Sequence, residues 1–175
     1  MTKIFYDLEF NEIVTPMDLI SIGMVTDHGD EIYLINDDLK VIHRAARNPW
    51  LMKNVLRQLP VRLKVPSGWE WNYDHDDIDK VFTTNIMAKK VKQFVLSQVE
   101  PELWAYYGAY DHVILCRRLF GTMLQLPQGF PMFTNDIMTF LKDYQGSMPW
   151  QEGTEHNALE DARHNLAMAQ TLGIV

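Results

Sequence analysis

The sequence holds a single cysteine, Cys116, among its 175 residues. That count excludes an intramolecular disulfide and a zinc site built on cysteine. It suits a reducing compartment, so the protein is expected in the cytoplasm. No apolar run approaches the roughly 18 residues that a membrane-spanning helix needs. The opening Met1-Thr2-Lys3 passes straight into Ile4-Phe5-Tyr6 without an apolar leader region, so a soluble, unprocessed chain with no membrane partner is expected. Low-complexity segments, internal repeats and linkers are all missing, which excludes a fibrous or collagen-like protein and points to one domain over residues 1–175. Basic residues are in the minority: 16 Lys and Arg against 23 Asp and Glu give a net charge of −7. This argues against non-specific nucleic-acid binding through a broad basic surface. It does not exclude an enzyme acting on nucleic acid, because a carboxylate site turns locally positive once divalent cations fill it.

Core-forming material is plentiful, with 47% hydrophobic and 11% aromatic residues. β-branched and aromatic runs predict strands over 3–10, 19–25 and 31–35, with a turn at Asp27-His28-Gly29-Asp30 between the last two. Asn48-Pro49 opens a helix expected to run to about residue 58. Residues 60–79, punctuated by Pro60, Pro66 and Ser67-Gly68, read as an irregular connection, and Thr83-Thr84 start a helix through Ser97. A fourth strand over 103–107 is apolar throughout, as a strand buried on both faces would be. Helices are expected over 111–120 and 135–144. A last one starts at Glu155 or Asn157, where Leu159, Ala162, Leu166, Ala169 and Leu172 recur at helical spacing. The order of elements is that of an α/β fold around one mixed sheet.

Asp7 and Glu9 are two apart on the first strand, so both carboxylates point to one face. Like charges side by side are costly unless a cation neutralises them, and oxygen ligands suit Mg²⁺ or Mn²⁺. Taken alone, an Asp-x-Glu pair is common and usually a pair of surface carboxylates. Further along, Asp111 follows the buried fourth strand, and His156-x-x-x-x-Asp161 opens the last helix. Singly, Asp111 and His156 read equally well as capping residues, and Asp161 as a charge favoured at a helix N-terminus. The combination, four acids and one histidine in this order on strand and helix ends, is far more specific than its parts.

That combination resembles the DEDDh group of 3′-5′ exonucleases. The segments Phe5-Tyr6-Asp7-Leu8-Glu9-Phe10, Leu19-Ile20-Ser21-Ile22-Gly23, Leu103-Trp104-Ala105, Gly108-Ala109-Tyr110-Asp111-His112-Val113 and His156-Asn157-Ala158-Leu159-Glu160-Asp161-Ala162-Arg163 look, more closely, like the polyadenylate-specific 3′-exoribonuclease family, ribonuclease AS. The resemblance covers the whole chain. It implies a ribonuclease H-like α/β fold, with a central mixed sheet of five-stranded type flanked by helices. It also implies two Mg²⁺ or Mn²⁺ ions held by Asp7, Glu9, Asp111 and Asp161, with Asp7 bridging and His156 as general base. The implied reaction removes nucleoside 5′-monophosphates from the 3′ end of single-stranded RNA, with adenylate-rich tails favoured. A homodimer is implied as well. Two rivals remain: a 3′-5′ exodeoxyribonuclease using the same five residues, and a non-catalytic nucleic-acid-binding protein on the same fold.

Other features have two readings each. Leu8 and Phe10 flank the acidic pair as candidate substrate contacts, and Phe10 is either a stack for the terminal base or an ordinary rim aromatic. Residues 40–64 carry Lys40, Arg44, Arg47, Lys53, Arg57, Arg62 and Lys64 with no Asp or Glu, either a phosphate track or a solvated face. Asp74-His75-Asp76-Asp77 reads as a solvated acidic loop in preference to a metal site. Asp136 reads as a helix cap, and Cys116 as a packing residue.

Overall fold

The β-branched and aromatic run near the start of the chain forms β1 (Thr2–Asn11), the longest strand of the computed structural model, which describes residues 1–175. β2 (Asp18–Thr26) returns antiparallel to it, and β3 (Glu31–Asn36) follows through a turn at Gly29, whose φ of 98° suits a residue without Cβ. Two short helices come next. α1 (Leu39–Ala45) is capped by the Asp38 carboxylate, which accepts from the Lys40 N–H. α2 (Pro49–Asn54) is capped by Asn48 and starts on proline. A helical turn over Leu56–Gln58 continues α2. The chain then runs through β4 (Val61–Lys64), β5 (Gly68–Trp71), β6 (Val81–Phe82), α3 (Thr84–Leu96), β7 (Pro101–Ala105), α4 (Ala109–Leu119), β8 (Thr134–Asp136), α5 (Met138–Leu141) and α6 (Ala158–Thr171).

Six strands make one mixed sheet in the order β6-β3-β2-β1-β7-β8, consistent with a ribonuclease H-like α/β fold; β4 and β5 form a separate hairpin. β1 runs through the middle, antiparallel to β2 and parallel to β7. Its alternating side chains divide the core. Ile4, Tyr6 and Leu8 pack with Val91 of α3 and Ile114 and Leu115 of α4, whereas Phe5 faces Ala162 and Ala169 of α6. Each such fully buried aliphatic or aromatic side chain contributes on the order of 2 kcal/mol. A third cluster ties α1 and α2 to the sheet through Ile20, Ile35, Ile42 and Leu51. No helix is long and apolar enough to cross a membrane.

The structure departs from the sequence reading at four places. The sheet has six strands where the residues gave four and the resemblance implied five, because β6, only two residues long, adds to β3 and β8 adds to β7. The helix expected over 135–144 is instead β8, which pairs with β7, followed by the single turn of α5; tertiary pairing overrides local propensity there. Residues 60–79 are not wholly irregular. Arg62 lies opposite Glu70 in the β4–β5 hairpin, and Pro66 and Gly68 make the turn between that cross-strand charge pair. α1 has no counterpart in the sequence reading, since its Leu39, Val41, Ile42 and Ala45 make too short a periodic stripe to stand out.

Candidate active site

Asp7 and Glu9 emerge from β1 on the face that carries Phe5, toward α6. β7 covers β1 only from Thr2 to Phe5. Past that point two freed backbone groups of β1 are taken by side chains: the Tyr6 carbonyl accepts from Asn165 Nδ2 of α6 at 3.1 Å, and the Leu8 N–H donates to Asp111 Oδ1 of α4 at 2.9 Å. The diverging strands thus open a notch, and buried backbone in the notch is satisfied by the groups that build the site. Asn165 lies one helical turn after Asp161, so its bond to β1 fixes Asp161 beside the Asp7 strand.

The N-terminus of α6 is set by Asn157, whose Oδ1 accepts from the Leu159 and Glu160 N–H groups; a cap of this kind contributes about 1 kcal/mol. The residue before it, His156, has a φ of 64°, a left-handed conformation uncommon outside glycine, which histidine adopts more readily than most side chains. Gln58 holds this segment by donating Nε2 to the Glu155 carbonyl at 2.7 Å. The Trp50 indole meets the His156 ring edge-on at a centroid distance of 4.6 Å. Glu9, His156 and Asp161 each present a ligand atom, all within 4.8 Å of one another.

The carboxylates make an unbalanced charge. Glu9 and Asp111 keep only 7% of their surface, and no Lys or Arg pairs with Asp7, Glu9, Asp111 or Asp161. Burial, and then repulsion from Asp161 and Asp111, pushes Glu9 up to about 9. Burial pushes Asp111 up to about 6, with Asp136 adding to it and the bond from Leu8 N–H opposing it. Asp7 is raised well above the usual carboxylate range by burial and by the charges of Asp111, Glu9 and Asp161. Asp161 is raised by burial and drawn back by Gln151, which donates Nε2 to Oδ1 at 2.5 Å, and by His156. This crowd of oxygens lacking a counter-charge fits hard divalent cations, and the acids would shed their excess protons on binding them.

A model of the Rv2179c-like 3′-5′ exoribonuclease domain matches residues 55–172. Two relatives from Mycobacterium tuberculosis, the 3′-5′ exoribonuclease MT2234.1 (strain CDC 1551 / Oshkosh) and the 3′-5′ exoribonuclease Rv2179c (strain ATCC 25618 / H37Rv), are each 33% identical over 172 residues. The match covers 94% of this chain and 89% of each relative. The chain belongs to the Rv2179c-like 3′-5′ exoribonuclease family.

In this family member the five residues singled out in the sequence, Asp7, Glu9, Asp111, His156 and Asp161, come from three separate segments of the chain to one notch. Phe10 lies at its rim, nearly parallel to the Tyr110 ring at 6.3 Å, and with Glu9 and Trp50 it lines a cleft of about 230 Å³. Leu8 does not contact this space: its side chain is buried in the core between the sheet and α4, and only its N–H serves the site, through Asp111. Asp136, at the end of β8, accepts from the Tyr107 and Met138 N–H groups, so its carboxylate is taken up locally just before α5. Cys116 packs in the core. His75 accepts from the Asp77 N–H and caps the helical turn over Asp76–Lys80, and Asp79 beyond it pairs with Lys80.

Sequence reading missed Gly23, Trp50, Gln58, Gln151 and Asn165. Gly23 pairs with Asp7, and a Cβ there would run into the Ala158 backbone at the start of α6. Its place at the end of Leu19-Ile20-Ser21-Ile22 carries a signal only once the helix packed on it is known.

Proposed function

We propose that this chain is a metal-dependent 3′-5′ exoribonuclease of the DEDDh type that removes nucleoside 5′-monophosphates from single-stranded RNA, with adenylate-rich 3′ tails favoured as in ribonuclease AS. The exoribonuclease activity follows from family membership. The observation that carries the metal dependence is the convergence of Asp7, Glu9, Asp111 and Asp161 beside His156 with no basic partner. Two Mg²⁺ or Mn²⁺ ions bound there would supply the positive charge that stabilises the attacking and departing oxygens of the phosphodiester.

The chain's own residues do the rest. Asp7, Glu9, Asp111 and Asp161 bind the cations from rigid positions, two on the central strand and one at the start of each of two helices. The His156 imidazole takes the proton of the attacking water, help worth roughly 10²- to 10⁴-fold in rate. Its left-handed backbone and its contact with Trp50 aim the ring at the acids. Phe10, at the rim beside Glu9, stacks on the terminal base. The bond broken is between phosphorus and the 3′ oxygen of the preceding nucleotide, which leaves as a shortened strand after taking up a proton.

The test is a digestion time course of a 5′-labelled, A-tailed RNA beside the matching DNA, with Mg²⁺, Mn²⁺ or EDTA, using wild type and Asp161→Ala. A single-nucleotide ladder on RNA, lost with EDTA and with the variant, is the expected result. A ladder mainly on DNA would move the chain to the exodeoxyribonuclease reading. Binding without a ladder on either substrate would leave a non-catalytic protein.

A further inference from the structure

Seven basic side chains lie between residues 40 and 64, and the tertiary contacts separate them. Arg44 is engaged by Asp18 through two bonds of 2.6 and 2.8 Å, and Glu70 takes both Arg62 at 2.8 Å and Lys64 at 3.2 Å. Arg47 reaches only the His43 ring, at 3.4 Å. Lys40, Lys53 and Arg57 make neither an ion pair nor a side-chain hydrogen bond and are exposed, and of these Lys53 and Arg57 line one pocket. Four residues apart on α2 and the turn that continues it, they point the same way. They form one wall of a pocket of about 460 Å³ whose opposite wall is Thr154, Glu155 and His156, and no apolar side chain lines it.

We infer that this pocket is a second subsite of the enzyme, holding phosphate groups of single-stranded RNA beyond the one being hydrolysed; the inference rests on the exoribonuclease reading above. Three features select the ligand. A wholly polar lining with two free cations against one carboxylate, Glu155, suits an anion. In a chain with a net charge of −7, free basic groups clustered in one pocket form a local exception to the field of the whole molecule. His156 belongs both to this pocket and to the catalytic cluster, so an anion held here lies next to the hydrolysed phosphate. A polyanion with a phosphate in each place is the ligand that uses both. Gln58, which donates to the Asn54 and Glu155 carbonyls at 2.6 and 2.7 Å, ties the two walls together and keeps the pocket open at a fixed width.

The subsite makes affinity depend on strand length and on salt. Each phosphate contact to a single strand contributes about 0.7 to the slope of log affinity against log salt, so replacing both cations should lower the slope by about 1.4. The experiment compares wild type with Lys53→Gln/Arg57→Gln, whose melting temperature is checked first. The substrates are an A-tailed RNA of about 12 nucleotides, within the span of single-strand sites, and a dinucleotide with a free 5′ hydroxyl, which has no phosphate besides the one hydrolysed. The expected result is a KM for the longer RNA raised roughly ten-fold at low salt, a shallower salt slope, and a much smaller change on the dinucleotide. An equal rise on both substrates, or an unchanged salt slope, would overturn the subsite, and the latter would favour an acidic protein partner for these two residues. Should the wild type hydrolyse neither RNA nor DNA, the exoribonuclease reading fails by itself. Fluorescence anisotropy with the same RNA then decides the subsite, which stands if the variant lowers the salt slope of binding and falls if it does not.

Discussion

Gly23 and Ala158 touch backbone to backbone: the carbonyl at the start of α6 occupies the space that a side chain at Gly23 would fill, directly across the β1–β2 ladder from Asp7. The helix that carries Asp161 is therefore seated on the strand next to the one that carries Asp7 and Glu9, with nothing between. Gly23→Ala must push α6 off the sheet. Overpacking of this kind costs about 1–3 kcal/mol. The expected outcome is a lower melting temperature together with a loss of turnover larger than the unfolded fraction explains, both read on one preparation by thermal denaturation and the digestion ladder.

Substitution of His156 separates proton transfer from cation binding. His156→Ala should lower kcat by roughly 10²- to 10⁴-fold while Mn²⁺ still raises the melting temperature, because the four carboxylates are untouched. Asp161→Ala should lose both. Equal loss of the Mn²⁺ shift in the two variants would make His156 a ligand first and a base second.

Stability of the cation-free protein should fall as pH rises. Glu9 is pushed up to about 9 in the folded chain against 4.5 for the free side chain. Between those two values the folded state holds more protons than the unfolded one, so each step up in pH favours unfolding. In EDTA the melting temperature is expected to decline from about pH 5 to pH 9. Saturating Mg²⁺ or Mn²⁺ should flatten or reverse the trend, since the ions replace the protons that hold the acids together. A flat profile in EDTA would mean that Glu9 is ionised in the folded state.

Gln58 is expected to act as a positioning residue. Its amide holds the carbonyl of Glu155, the residue before the left-handed His156, and it also reaches Asn54. Gln58→Met keeps the length and removes the donors, at an expected cost of about 1 kcal/mol of stability. If the bond aims the imidazole, kcat on a dinucleotide should fall with KM little changed, and the limb of the pH profile that reports the base should shift. A purely structural role would leave the pH profile where it is.

The sequence by itself determined which residues are candidates for the site: Asp7-x-Glu9 shares a face because strand side chains alternate, Asn157 starts the last helix because its side chain caps it, and the α/β order follows from the hydrophobic periods. These are local properties, written in the spacing of a few residues. The tertiary structure alone decided that β7 ends early enough for Asp111 and Asn165 to enter beside β1, and that Gly23 admits α6. It also decided that Thr134–Asp136 pairs as a strand, that Leu8 turns into the core, and that Lys53 and Arg57 stay free while Arg44, Arg62 and Lys64 find acids. Each of these depends on contact between segments far apart in the chain, where packing and pairing outweigh local preference, and such contacts leave no period or motif in the sequence to read.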